Sequence, residues 1–178
     1  MLCNENMLQT AIHCIPPEVE KVNITTGYPL SQTPITSLIN LLINLQTNGY
    51  VTPTGRYRLR QVNHVLRHPY SHYISKASKS LYEELNTRKI YYPDAVQLSL
   101  DEGLTLLFTM DHNTPESFNS ALLSWLMAII RLIAKNISTE TQDPSPLTQE
   151  SLFRMYTLLN RLSDLVGRAH EQGCQPLW

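Results

Sequence analysis

The stretch SALLSWLMAIIRLIA, residues 120–134, decides the type of fold, because twelve of its fifteen residues are apolar. Its three polar residues fall on one narrow stripe at helical spacing, which is typical of a helix buried on nearly all sides. Thr114-Pro115-Glu116 is a helix-start pattern, so the sequence predicts a central core helix that runs to about Asn136. The apolar run is shorter than the roughly 20 residues that a membrane span requires, and we expect no membrane span.

Two further segments have clear helical patterns. In TPITSLINLLINLQTNG, residues 33–49, Thr33 suits the N-cap, Pro34 the first helical position and Gly49 a left-handed residue after the end. The last helix begins at the end of an acidic linker, residues 138–146. Its apolar residues recur every three or four positions and predict a coiled-coil-like seam. The seam comprises Leu152, Met155, Leu159, Leu162 and Val166.

The remaining segments have shorter patterns. Residues 71–88 have the apolar spacing of one amphipathic helix, and Ser99-Leu-Asp-Glu102 is a capping-box pattern before a short apolar segment. That segment, as far as Met110, fits either a helix or a buried strand. Residues 1–32 remain uncertain. We therefore predict a single, mostly α domain over residues 1–178, a compact helical bundle of five to six helices.

A small β-hairpin is expected near residues 50–60. Thr52-Pro53-Thr54-Gly55 has proline and glycine where a type I turn favours them, and Tyr50-Val51 would pair with the residues that follow. A helix starting near Gly55 is the competing interpretation. The two interpretations are compatible if the strand comes first and a helix follows from about Arg60.

Composition argues against several classes of protein. The chain has only six glycines, which argues against a glycine-rich phosphate loop and against a turn-dense β-sandwich. Its three widely spaced cysteines do not indicate a disulfide framework. The N-terminal segment does not read as a signal peptide, so we expect an intracellular protein, cytoplasmic or nuclear. Neither a nucleophile paired with a base nor a phosphate-binding loop is evident, and we expect neither an enzyme nor a cofactor.

Three histidines, His64, His68 and His72, have the four-residue spacing of metal ligands on one helical face. Pro69 falls inside this run and should rotate His72 away from the other two. The sequence therefore predicts no metal site.

The strongest functional indication is the uneven distribution of charge. Residues 56–89 hold eight basic and two acidic residues, a local charge of +6, whereas the rest of the chain holds six basic and thirteen acidic residues. Cationic side chains neutralise phosphates, and tyrosines stack on unpaired bases. We therefore predict a non-enzymatic accessory or regulatory protein that binds nucleic acid through the basic, tyrosine-bearing segment 56–92. The candidate binding residues are Arg56, Arg58, Arg60, Arg67, Lys76, Lys79, Tyr57 and Tyr73.

The order helix, NGYV, turn and GRYRL, within residues 33–60, resembles the last helix and wing of winged-helix DNA-binding domains. The resemblance implies that Arg56 and Arg58 are wing residues near the DNA backbone. It also implies that the polar stripe of the preceding helix enters the major groove. Two features depart from the family pattern: that helix has no lysine or arginine, and residues 1–32 do not show the two helices that should precede it.

The alternative is a helical protein–protein interaction or self-assembly module, which would use the seam at residues 152–169 and could form a homo-oligomer. The basic segment would then face an acidic surface of a protein partner. Some compact viral accessory or structural proteins have a similar composition, although no motif links this chain to them.

Overall fold

The chain is described by a computed structural model over residues 29–110, 118–140 and 145–171, together with positions 14 and 16. These residues form eight α-helices and one two-stranded antiparallel sheet. The helices are α1 (Pro34–Asn44), α2 (Leu59–Leu66), α3 (Ser71–Ile74), α4 (Ser78–Thr87), α5 (Ala95–Leu98), α6 (Glu102–Phe108), α7 (Phe118–Glu140) and α8 (Pro146–Glu171). The strands are β1 (Tyr50–Val51) and β2 (Arg56–Tyr57).

The predicted mostly α fold with a small hairpin is confirmed. Tyr50 pairs with Tyr57 and Val51 with Arg56, and α2 starts directly after the hairpin, so both interpretations of this segment hold in part. Gly55 closes the turn with a φ of +62°, a conformation that glycine adopts without steric strain.

The described residues contain more helices than the five or six expected, because the segment 71–88 is divided into α3 and α4 and because the short helix α5 was not predicted. Ser75, between them, has an extended backbone, and its hydroxyl donates to the Asp101 carboxylate. The start of α6 lies so close to α3 that a Cβ atom added to Gly103 would lie 2.0 Å from the Ile74 carbonyl oxygen. Long-range contacts therefore divide a segment whose apolar spacing alone favours one helix.

Three expected helix ends differ in detail. Thr33 is the N-cap residue of α1, but its hydroxyl donates to the Leu30 carbonyl rather than accepting from the helix. Gly49 is not left-handed, since α1 continues into a π-helical turn, Leu45–Gly49. The N-cap of α6 is Asp101, whose carboxylate accepts from the Leu104 amide at 2.8 Å, and not Ser99. The helical alternative for residues 99–110 is the one observed.

Helix α7 is central, as predicted. Its buried residues are Trp125, Leu126, Ile129, Ile130, Ile133 and Ile137. The Trp125 indole donates to the Leu106 carbonyl at 2.7 Å, and the Asn136 amide donates to the Tyr73 carbonyl at 2.7 Å. These bonds join α7 to α6 and α3, and the buried apolar residues of the described chain form one cluster that extends from α1 to α8.

Among the described helices, only α7 is long and apolar enough to cross a membrane, with a mean hydropathy of 1.4 over its most apolar window. Core helices of soluble proteins commonly have the same length and composition. At 23 residues the helix is longer than its apolar run alone indicates, and it extends to Glu140, into the predicted linker.

Some predictions lie outside the described residues. These are the uncertain N-terminal segment up to residue 28, the helix start at Thr114-Pro115-Glu116, and residues 141–144 of the linker. Within the described part, α8 begins at Pro146 as expected.

Candidate nucleic-acid interface

A third segment, residues 91–94, pairs with the hairpin and was not predicted. The Leu59 amide donates to the Tyr91 carbonyl and the Tyr57 amide donates to the Pro93 carbonyl, both at 2.9 Å. Residues 91–94 therefore run antiparallel to β2, on the side opposite β1. This pairing holds Tyr91 and Tyr92 beside the first turn of α2.

A concave surface lies between α2, α4 and this segment, with a cavity volume of about 670 Å³. We call it the basic groove. It is lined by Arg58, Leu59, Arg60, Gln61, Asn63, His64, Arg67, Tyr82, Tyr91 and Tyr92.

Helix α2 supplies most of the positive charge of the basic groove. Arg58 is its N-cap residue, and Arg60, His64 and Arg67 follow on one exposed face at helical spacing. The opposite face is buried through Val62, Val65 and Leu66. Burial of that face fixes the orientation of the helix and turns its cationic face into the groove.

The groove arginines are not neutralised within the described part of the chain. None of Arg58, Arg60 and Arg67 forms an ion pair with a described carboxylate. The Arg67 guanidinium lies 6.0 Å from the centre of the Tyr82 ring, within cation–π range. Three exposed cations in one concave surface create a positive potential that attracts polyanions.

Aromatic rings form the other wall of the basic groove. Tyr91 and Tyr92 are 66% and 55% exposed, and Tyr82 is half-buried. Exposed tyrosine rings provide flat apolar faces on which unpaired bases stack. The groove therefore combines cations and stacking surfaces, which is the combination expected for binding a strand with accessible bases.

Two of the predicted tyrosines do not belong to this surface. Tyr57 is only 1% exposed; its ring packs against Phe108 and its hydroxyl donates to the Phe108 carbonyl at 3.0 Å. Burial raises the pKa of Tyr57 to about 12. Tyr73 is half-buried, with its ring against Tyr70 and His72. A stacking role for Tyr57 does not fit this burial, since the core already encloses its ring.

Three of the predicted cations lie outside the groove. Lys76 pairs with Glu140 at 3.1 Å, Lys79 is exposed on α4, and Arg56 is exposed on β2 without lining the cavity. The structure thus brings together Arg58, Arg60 and Arg67 from the predicted set.

Seven groove residues are not among the candidate binding residues, although all lie within the predicted segment 56–92: Leu59, Gln61, Asn63, His64, Tyr82, Tyr91 and Tyr92. Gln61 lies in α2 between Arg60 and the buried Val62, so helical spacing alone does not distinguish it from a packing residue. The tyrosine pair precedes Pro93 in a short extended pattern, and pairing this pattern with the hairpin is the signal that could have identified it.

A serine–histidine contact lies beside the groove, but the direction of its hydrogen bond does not suit catalysis by the serine. The Ser37 hydroxyl is 2.8 Å from His68 Nε2, while His68 Nδ1 accepts from the Tyr70 amide at 3.2 Å. With Nδ1 accepting, a neutral imidazole carries its proton on Nε2 and donates to Ser37. Partial burial lowers the pKa of His68 and favours this neutral form. A general base would instead need a free lone pair facing the hydroxyl.

The spaced histidines diverge in the structure. His64 is exposed in the basic groove, His68 bonds Ser37, and His72 lies 3.5 Å from Glu140. Within the described ranges, no three potential metal ligands cluster.

The predicted seam on α8 divides into two parts. Leu152, Met155 and Leu159 are each 4% exposed and pack inside the chain's own core. Leu162 is 41% exposed and Val166 is half-buried. The first half is therefore internal packing, and only the second half is available to a partner.

The packing of α1 is that of an amphipathic helix: Ile35, Leu38 and Leu42 are fully buried, whereas Ser37, 2.8 Å from His68 Nε2, and Asn40 are exposed. The winged-helix resemblance therefore stays a prediction. Comparison with protein-family models, curated proteins and solved structures found no match.

Proposed function

We propose that this is a non-enzymatic protein that binds nucleic acid through the basic groove. The observation that carries the proposal is the convergence of Arg58, Arg60 and Arg67, without described carboxylate partners, with the exposed rings of Tyr91 and Tyr92. Paired arginines contribute little to an external ligand, because their charge is already balanced. These three arginines remain available for phosphates.

In this proposal the arginines of the groove bind phosphates and its tyrosines bind bases. Guanidinium groups form charge-assisted, often bidentate hydrogen bonds with phosphate oxygens, and these contacts carry no base preference. Tyrosine rings stack on bases of any type, contributing about 1–3 kcal/mol per base. Binding should therefore be strongly salt-dependent, with a log–log slope of roughly −2 for three phosphates on a single strand.

The test is fluorescence anisotropy of labelled single- and double-stranded DNA and RNA, titrated with protein at several salt concentrations. The groove variant is Arg58→Gln/Arg60→Gln/Arg67→Gln. The matched control is Arg56→Gln/Lys76→Gln/Lys79→Gln, which removes the same charge outside the groove. We expect the groove variant to lose affinity about 100-fold and to flatten the salt slope, and the control to lose about threefold or less.

Equal losses in the two triple variants would contradict the proposal, because they would indicate attraction by general charge alone. Binding of none of the four nucleic acids at low salt would refute it altogether.

A second candidate function is association with another protein chain, a second copy included, through the exposed part of α8. Leu158, Leu162 and Leu165 are 44%, 41% and 61% exposed and recur at helical spacing. Phe153, 67% exposed, borders an apolar cavity of about 370 Å³ between α7 and α8. Aligned apolar side chains on a surface helix are typical of helix-mediated interfaces.

Sedimentation velocity over a range of protein concentrations tests this alternative. Self-association that is lost in Leu162→Glu/Leu165→Glu, and kept in the groove variant, would favour it. A monomer at every concentration would leave only a different protein as the partner of α8.

A further inference from the structure

We infer that the basic groove takes an unpaired strand rather than a duplex, and that Gln61 hydrogen-bonds the edge of one unpaired base. The inference rests on the proposed nucleic-acid binding and adds the type of strand and a residue that contacts a base. Its starting point is the side-chain amide of a groove-lining residue, whose oxygen has no partner within the described part of the chain.

Gln61 lines the basic groove, and its Oε1 atom is buried without a hydrogen-bond partner among the described residues. A buried acceptor without a donor is unfavourable, and most buried polar atoms in proteins have a partner. Rotation of the amide into the groove removes that cost if a ligand supplies the donor. Gln61 is therefore a candidate hydrogen-bond partner for a ligand in the groove.

The backbone beneath Gln61 is held firmly. A Cβ atom added to Gly49 would lie only 2.9 Å from Gln61 Cβ, so the π-helical turn and α2 are in direct contact at this point. The neighbouring Val62 is fully buried. The Cα–Cβ bond of Gln61 is therefore fixed, and contact between its amide and a ligand would require rotation about the outer bonds of the side chain.

The groove's shape favours unpaired nucleotides. Arg58, Arg60 and Arg67 lie on one side, and the rings of Tyr82, Tyr91 and Tyr92 lie on the other. In a duplex, the base faces are covered by neighbouring bases, so tyrosines in a recess cannot reach them. A single strand can place its phosphates on the arginines and splay a base onto the rings.

A side-chain amide can pair with an unpaired base of any type. Gln61 presents one acceptor and one donor group, and every base carries a donor next to an acceptor on its Watson–Crick edge, which is open only when the base is unpaired. The pair therefore adds affinity for an unpaired strand without selecting a base, as stacking does.

The experiment uses cytidine nonamers, labelled at one end, whose central residue is adenosine, cytidine or uridine. A duplex of the adenosine nonamer with its complement and free adenosine monophosphate are also measured, each with wild-type protein, Gln61→Met and Gln149→Met. Gln61→Met keeps the length of the side chain and removes both amide groups. Gln149→Met removes an exposed amide from α8 and serves as the control.

We expect the three nonamers to bind about equally, Gln61→Met to bind each of them about tenfold more weakly, and Gln149→Met to bind as the wild type does. A Gln61→Met protein that binds the nonamers as tightly as the wild type would overturn the role of Gln61 while leaving the proposed nucleic-acid binding intact. A duplex or free adenosine monophosphate that binds as tightly as the adenosine nonamer would overturn the assignment to an unpaired strand. Failure of every probe to bind would overturn both this inference and the proposed function.

Discussion

The side-chain amides of Asn63 and Asn86 bond each other reciprocally, with N–O distances of 3.0 and 3.2 Å, and join α2 to α4 beside the basic groove. The Asn86 amide also donates to the Tyr82 carbonyl one turn earlier, at 2.6 Å. The groove wall that carries Arg60 and Arg67 is thus tied to the wall that carries Tyr82.

A double-mutant cycle should reveal this coupling. We expect Asn63→Ala and Asn86→Ala each to lower the free energy of unfolding by about 1 kcal/mol, and the double variant to lose clearly less than the sum. Urea denaturation measures the four stabilities. Thr87→Ala, an exposed neighbour, is the control and should change little. Strict additivity of Asn63→Ala and Asn86→Ala would show that the two amides do not act as a pair in solution.

Tyr57→Phe should weaken the fold without weakening nucleic-acid binding. The variant removes the hydroxyl that donates to the Phe108 carbonyl in the core, and we expect a loss of about 1–2 kcal/mol in the free energy of unfolding. Tyr91→Ala should do the reverse, since Tyr91 is exposed in the basic groove. Denaturation and anisotropy measured on both variants separate the two roles. Weaker binding by a stably folded Tyr57→Phe protein would argue against this division.

The raised pKa of Tyr57 makes stability depend on alkaline pH. Its pKa is about 12 in the folded chain against an ordinary value of 10, so the unfolded chain releases the proton first as pH rises. The stabilisation is complete below pH 10 and is lost as the pH rises from about 10 to 12. Two pKa units correspond to roughly 3 kcal/mol. Urea denaturation of the wild type across this range should show the loss, and Tyr57→Phe should lose less.

The lowered pKa of His68 should make the folded chain less stable at acidic pH. Partial burial lowers its pKa in the folded chain, so between the folded pKa and the ordinary value of 6.5 the unfolded chain binds more protons. Stability should therefore be complete above pH 6.5 and fall as the pH decreases through the lowered folded pKa. Protonation also removes the acceptor that His68 Nδ1 offers to the Tyr70 amide.

Denaturation between about pH 5 and pH 8 checks the sign of this effect. His68→Gln keeps a donor toward Ser37 and should flatten the curve. His64→Gln, which changes an exposed histidine near Arg67 on the same side of the chain, should leave the slope as in the wild type. A wild-type protein that becomes more stable on acidification would contradict the prediction for His68.

The long helices could be predicted because apolar spacing persists over several turns in α1, α7 and α8. The short helices α3 and α5 could not. A single turn carries almost no periodic signal, and its formation depends on partners distant in the sequence. The contacts of Ser75 with Asp101 and of Gly103 with α3 are of that kind.

The basic groove could be predicted only in part, as the helices were. Arg60 and Arg67 share a helical face, which their spacing indicates. Tyr91 joins them only because its carbonyl accepts from Leu59, a pairing that local patterns do not specify. Tyr57 and Tyr91 are equally compatible with burial and exposure in the sequence. Their positions decide the outcome, because Tyr57 lies on the hairpin with its side chain buried, whereas Tyr91 lies on the segment paired with the hairpin and is exposed.

Two glycines give a matched test of the packing between α3 and α6. A Cβ atom at Gly103 would lie 2.0 Å from the Ile74 carbonyl oxygen, a backbone atom that cannot move without shifting α3. A Cβ atom added to Gly167, in the exposed part of α8, would meet no described atom within 4 Å beyond the neighbouring backbone of its own helix. We expect Gly103→Ala to lower the free energy of unfolding by about 2 kcal/mol or more, as overpacked sites do.

Gly167→Ala should instead raise stability by about 0.5–1 kcal/mol, because alanine lowers the backbone entropy lost when a helix forms. Thermal or urea denaturation of the two variants measures both effects in one experiment. Opposite signs are the expected result. A Gly103→Ala protein as stable as the wild type would mean that α6 lies farther from the Ile74 carbonyl, and that the division of the segment 71–88 at Ser75 does not depend on this contact.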